Sequence, residues 1–148
     1  MQSQAVTFRQ IEYGSMDYRQ ALRLREAVLR TPLGLVLGEE DLRGEDRQLH
    51  FGLSSDDQII ACVVAVPVSA TEAKIRQTAV EPSWQRQGLA SSMMRQLEDT
   101  LVARGFRLLS LHARAGAIGF YEKLGYQIVG EEFVEVTIAH RKMVKRLT

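Results

Sequence analysis

One run of residues does most to limit the fold: Ile59-Ile60-Ala61-Cys62-Val63-Val64-Ala65-Val66-Pro67. It is about half the length a membrane helix needs. It is rich in β-branched residues, follows the turn chemistry of Ser54-Ser55-Asp56-Asp57 and stops at a proline. The run over 59–66 therefore reads as a buried central strand. Just before it, Leu49, Phe51 and Leu53 alternate with His50, Gly52 and Ser54, the pattern of a half-buried strand. The two are expected to form an antiparallel hairpin.

The rest of the chain supplies cover for such a sheet. Residues 5–13 read as a first strand. Ser15 is placed to cap a helix running to about Arg30, with Asp17 in its first turn and a stripe of Tyr18, Ala21, Leu22, Leu24, Val28 and Leu29. Thr31-Pro32 stops it. Residues 33–46 read as mostly irregular with a short helical turn. Another strand covers 74–80. A helix starts near Gln87 or Gly88 and runs to Arg104, with Ala90, Met93, Leu97 and Leu101 on one face and Gly105 just past its end. A strand over 108–112, a short helix over 116–124, and strands over 126–136 and 141–146 complete the order β-α-β-β-β-α-β-α-β-β. The expected class is mixed α/β, with hairpins and helical crossovers in one domain over 1–148.

Composition removes several functions. Lys+Arg 19 against Asp+Glu 18 leaves a net charge of +1, so no global field draws nucleic acid or an anionic membrane. Cys62 is the single cysteine, which excludes an internal disulfide framework, and its apolar surroundings predict a buried small side chain rather than a nucleophile. His50 and His140 lack ligand spacing, so no metal is expected. The N-terminal MQSQAVTFRQ has no apolar core of signal-peptide length. A cytoplasmic protein is expected. Arg141, Lys142, Lys145 and Arg146 read as charges guarding an edge strand.

Two stretches carry chemistry. In Ala79-Val80-Glu81-Pro82-Ser83-Trp84-Gln85-Arg86-Gln87-Gly88-Leu89-Ala90 a strand feeds a loop that opens a helix. The first N–H groups of a helix have no internal partner, and with the dipole they suit a pyrophosphate. Gly88 admits close approach and Arg86 adds a cation. The spacing is neither a Walker A loop nor a Rossmann fingerprint. In Gly119-Phe120-Tyr121-Glu122-Lys123-Leu124-Gly125-Tyr126, Phe120 and Leu124 are expected to pack inward while Tyr121, offset on the helix, faces a cleft. A tyrosine there either packs or donates a proton to a departing thiolate.

Taken together, Gln85-Arg86-Gln87-Gly88-Leu89-Ala90 and Phe120-Tyr121-Glu122-Lys123-Leu124-Gly125-Tyr126 resemble the two signature motifs of the GNAT superfamily of acyl-CoA N-acyltransferases. The run from Glu132 through Ile138 and His140 to Met143 is similar to the ending of its small bacterial ElaA-like subgroup, with Thr137 where that pattern often has glycine. The resemblance implies a mostly antiparallel sheet of about seven strands, splayed between the fourth and fifth and flanked by helices. It implies acetyl-CoA as cosubstrate and a primary amine of a small molecule or peptide as acceptor, with a homodimer left open. By position, Thr78, Ala79 and Val80 would face the pantetheine arm, with the N–H of Val80 as oxyanion donor. Gln85, Arg86, Gln87, Gly88, Leu89 and Ala90 would hold the pyrophosphate. Phe120 would line the cofactor site, and Tyr121 would protonate the sulfur. Arg114 stands where many relatives carry Asn, so that contact does not carry over. Arg76 stands where some relatives carry a basic glutamate; it would instead bind an acidic group on the substrate. Glu132, Glu135, His112 and His140 remain as base candidates, with Glu132 and His140 also expected to touch substrate. A non-catalytic acyl-CoA sensor or assembly module is the rival class.

Overall fold

The structure, a computed structural model, describes residues 5–147. Seven strands form one sheet in the order β1-β2-β3-β4-β5-β7-β6: β1 Thr7–Ile11, β2 Leu49–Ser55, β3 Gln58–Pro67, β4 Glu72–Val80, β5 Leu108–Arg114, β6 Gln127–Glu135 and β7 Ile138–Arg146. The helices are α1 Met16–Arg25, α2 Glu39–Leu42, α3 Leu89–Ala103 and α4 Ile118–Lys123. β2 pairs antiparallel with both β1 and β3, and β7 pairs antiparallel with both β5 and β6. β4 and β5 are parallel, in a ladder from Glu72↔Leu108 to Ile75↔Leu111. β4 runs on to Val80 and β5 to Arg114, past the end of that ladder. No helix among the described residues is long and apolar enough to cross a membrane.

The residues cluster into two compact units. One holds the described residues 5–65 together with Gln77–Leu97; the other holds Val66–Arg76 and residues 98–147.

In the first unit β3 is buried from Ile59 to Ala65, as its composition predicts. Ser15 caps α1, its hydroxyl accepting from the Tyr18 N–H at 3.1 Å. Ile11, Tyr18, Ala21, Leu24, Ile59, Cys62 and Ala79 form a core cluster, with Leu22, Val28 and Leu29 packed on it. Burial pushes the Cys62 thiol up to about 12, which leaves it protonated and inert. The expected single helix to Arg30 is instead α1, a π-helical turn over Glu26–Arg30 and a 3-10 turn over Thr31–Leu33. Two charged side chains of this stretch hold the segment that follows. Glu26 accepts the Leu37 N–H at 2.8 Å, and Arg30 reaches Asp41 at 2.7 Å, which draws the following segment back against the helix.

Gly52 sits mid-β2, opposite Cys62. A Cβ there would stand 2.5 Å from the Ala61 carbonyl oxygen and 2.9 Å from Ile11 Cδ1, so close approach, not a turn, requires the glycine.

In the second unit Leu109, Leu111, Tyr126 and Met143 are buried. Two expectations change. The β6–β7 hairpin turns at Val136-Thr137, so β7 starts three residues earlier than predicted; Glu135 pairs with Ile138. Consequently β7 lies between β5 and β6 and is not an edge; β6 is. Lys145, read as an edge guard, is instead committed to Glu98 at 2.8 Å and to the Leu124 carbonyl at 2.6 Å.

Candidate active site

The predicted pyrophosphate loop belongs to the first unit. In β4, Gln77 takes a left-handed φ of 57°, which interrupts regular strand geometry just before Thr78-Ala79-Val80. Ala79 is buried, while Thr78 and Val80 are half-buried. The strand is let go in steps. The Glu81 N–H donates to the Ile60 carbonyl at 2.8 Å, and the Glu81 carboxylate accepts from the Ser83 N–H at 2.8 Å and from its hydroxyl. A 3-10 turn follows over Pro82–Trp84. Gln85 then reaches back, its side-chain amide donating to the Val80 carbonyl at 2.9 Å. Gln85 thereby fastens the loop to the end of β4, a tie invisible in the motif itself.

Arg86 and Gly88 both adopt positive φ, 64° and 75°. α3 begins immediately, with the Ser92 N–H donating to the Gly88 carbonyl at 3.1 Å. Residues 85–88 are exposed. A Cβ on Gly88 would meet nothing within 4 Å, so the space beside it is open and the demand for glycine comes from φ. An exposed loop ending on the first N–H groups of a four-turn helix, with an arginine beside it, fits a phosphate-bearing ligand.

The second unit holds the other predicted residues. A 3-10 turn over Ala115–Ala117 leads into α4. Here the expectation is reversed: Tyr121 is buried, whereas Phe120 and Leu124 are half-buried. Tyr121 packs edge-on to Phe120 and Tyr126, with ring centroids 4.9 and 5.6 Å apart. The buried face of so short a helix is chosen by its aromatic neighbours rather than by helical spacing. Tyr126 is anchored by its hydroxyl, which donates to Glu98 at 2.9 Å; burial and Glu98 push that phenol far up. Arg114 lines a cavity of about 440 Å³ with Ala115, Gly116, Ala117, Ile138 and Ala139.

Of the four base candidates, three come together and one does not. Glu135 Oε1 lies 3.0 Å from His112 Nδ1, and its Oε2 lies 3.9 Å from His140 Nε2. His140 is buried, with Nδ1 2.9 Å from the Ile138 carbonyl. Phe133 stands edge-on to His112 and stacks on His140. Burial opposes the Glu135 charge, but the His112 hydrogen bond and the nearby His112, His140 and Lys74 hold its carboxyl below the usual range. Glu132 instead sits exposed where the β6–β7 register breaks between Val129 and Phe133. Lys74 has Glu135, Arg76 and Lys142 around it; burial above all, then the two cations, lowers its ammonium. No metal-binding group of acidic, histidine or cysteine residues occurs among the described residues.

Residues 15–126 match the Acetyltransferase (GNAT) family. The YyaT protein of Bacillus subtilis (strain 168) is 34% identical over 136 residues, spanning 89% of this chain and 90% of that protein. Among solved structures, Escherichia coli ElaA superposes with a TM-score of 0.82 at 18% identity, over 95% of this chain and 99% of that one. A GNAT family acetyltransferase from Elizabethkingia anophelis with acetyl-CoA bound superposes with a TM-score of 0.76 at 16% identity, over 96% of this chain and 98% of that one.

Proposed function

Because the chain belongs to the GNAT family and is an acyl-CoA-dependent N-acetyltransferase that uses acetyl-CoA, we propose that its acceptor is a primary amine carrying an acidic group close to the nitrogen. The observation that carries this reading is the charge set around Lys74, which has the cations Arg76 and Lys142 and the carboxylate Glu135 near it. Such a surface favours an anionic partner, and a guanidinium holds a carboxylate as a fork.

The residue roles follow from this chain's own parts. The main-chain N–H groups from Arg86 to Ala90 hold the pyrophosphate, and Gln85 and Gln87 complete that loop. Thr78, Ala79 and Val80 present their backbone to the pantetheine arm, and the Val80 N–H meets the developing oxyanion. Phe120 packs beside Tyr121, whose hydroxyl protonates the departing sulfur. Arg76 binds the acidic group of the acceptor. The exposed Glu132 takes no part in this arrangement; Glu135 is the carboxylate of the site.

The test is thiol release from acetyl-CoA with matched amines that differ only in a carboxylate beside the nitrogen. Acidic acceptors are expected to be turned over at least about tenfold better, equivalent to about 1.4 kcal/mol. Arg76→Ala should erase that preference and leave acetyl-CoA affinity unchanged. Equal turnover of neutral and acidic amines by the native protein rejects the proposed acceptor class.

A further inference from the structure

An amine that arrives as an ammonium must lose a proton before it can attack a thioester, and the roles above name no group that takes it. Within the second unit, β5, β6 and β7 bring His112, Glu135 and His140 onto one face of the sheet. We propose that His112 is the general base of the reaction, accepting the amine proton at Nε2, with Glu135 as the positioning residue that fixes its ring and tautomer.

The assignment rests on which atom meets which. An ionised carboxylate only accepts hydrogen bonds. Glu135 lies 3.0 Å from Nδ1 of His112, so that nitrogen carries the hydrogen and donates it. In a neutral ring Nε2 is then the nitrogen with the open lone pair. Among the described residues the ring makes one hydrogen bond, through Nδ1. The side chain keeps 26% of its surface in solvent, so Nε2 has access to an incoming group. Phe133 stands against the ring at 4.9 Å and limits its rotation. On the far side of the carboxylate, His140 is held by the Ile138 carbonyl, and its Nε2 lies 3.9 Å from Oε2, beyond hydrogen-bond reach. The pairing of an imidazole with the carboxylate that orients it is the arrangement by which hydrolytic triads activate a nucleophile. Here the nucleophile is the amine.

The step balances without a further reactant. The ammonium gives one proton to His112 Nε2, which passes it to water. The nitrogen forms the new C–N bond and the C–S bond breaks. The second nitrogen proton replaces the one that Tyr121 gives to the sulfur. Against His112 stand Glu135 from β6 and Lys142, its partner on β7; Arg114 follows on the same face of β5 opposite His140, while His140 and Lys74 lie near Glu135 and Arg76 near Lys74.

This inference rests on the acetyltransferase reading of the site, and the experiment separates the two. The intact protein is assayed for acetyl transfer across pH with His112→Gln, His112→Ala and Glu135→Gln, while nitrogen NMR of the native protein with acetyl-CoA present reads the His112 tautomer. His112→Gln is expected to lower kcat about 10²–10⁴-fold with the KM for acetyl-CoA unchanged. It should also abolish the acidic limb of the kcat/KM profile. Added imidazole should restore part of the activity of His112→Ala. Glu135→Gln should lower kcat by less and shift the acidic limb rather than remove it. The inference is overturned by a folded His112→Gln protein that retains kcat and the acidic limb. It is equally overturned by an Nε2–H tautomer in the native protein, whatever the turnover. Failure of the native protein to acetylate acidic amines while His112 shows the Nδ1–H tautomer counts against the acceptor class alone.

Discussion

Arg25 and Glu45 form a two-pronged ion pair with no route to solvent. Nη1 meets Oε1 at 2.8 Å and Nη2 meets Oε2 at 2.6 Å, and the two side chains are 1% and 0% exposed. The Tyr18 hydroxyl donates to Oε1 at 2.6 Å, and His50 Nε2 lies 2.8 Å from the Glu45 carbonyl. Arg25 Nε also reaches Gln77, the left-handed residue of β4, at 3.4 Å. Removing one member strands the other. Glu45→Gln is therefore expected to cost about 3–5 kcal/mol in denaturant unfolding. Joint replacement by Arg25→Met and Glu45→Leu should restore much of that loss.

The same pair sets an acid limit on stability. Burial raises the Glu45 pKa, but the bonds from Arg25 and Tyr18 outweigh it, and the net shift is downward. A carboxyl depressed in the folded state contributes stability that is fully present above its unfolded pKa of about 4.3. That contribution is lost as pH falls through the lower folded value. Stability measured from pH 7 downward should hold to about pH 5 and then fall. In Glu45→Gln the fall should be shallower; an equal slope in both proteins would assign the acid limit to other carboxylates.

Gly88 tests the loop. Its φ of 75° is strained for any branched side chain, although the space beside it is open. Gly88→Val should weaken acetyl-CoA binding by at least about tenfold, about 1.4 kcal/mol, in calorimetry. Unchanged affinity in a folded variant would remove the start of α3 from the cofactor site.

Tyr121→Phe keeps the edge-on contacts with Phe120 and Tyr126 and deletes only the hydroxyl. Stability and acetyl-CoA affinity should stay near native values, while kcat falls about 10²–10⁴-fold. A near-native kcat would show that water supplies the proton to sulfur.

The β6–β7 turn holds two β-branched residues in left-handed conformations, Val136 at 50° and Thr137 at 66°. Two-residue hairpin turns of this hand favour Asn-Gly. Thr137→Gly should stabilise the fold by about 1 kcal/mol, seen as about 2–4 °C in Tm. A loss of stability would mean that the Thr137 side chain contributes more than its backbone costs.

These residues show where sequence reading succeeds and stops. Ser15, the α3 stripe of Met93, Leu97 and Leu101, and the β3 run obey local rules, and each is found where those rules place it. Val136-Thr137 carries no turn signal, so from sequence the hairpin falls too late and β7 reads as an edge. Arg25 and Glu45 look like solvent-facing charges, because nothing in a linear chain marks two charges 20 residues apart as partners. His112, Glu135 and His140 are each visible as candidates. Only the register of three strands shows which of them meet and that Glu132 stays out. Tyr121 and Phe120 exchange places because a short helix takes its orientation from what it packs on.

Gly52 has a consequence for the chain's freedom to vary. The atoms closing on it are a backbone oxygen of the neighbouring strand and the tip of Ile11. A library in which every position is randomised and folded survivors are sequenced should therefore return glycine alone at this codon. Gly38, Gly116 and Gly119, with nothing within 4 Å of a Cβ and no left-handed φ, should drift. The centre of β2 is thus a fixed letter in an otherwise editable text, set by the spacing of two backbones and not by any chemistry the protein performs.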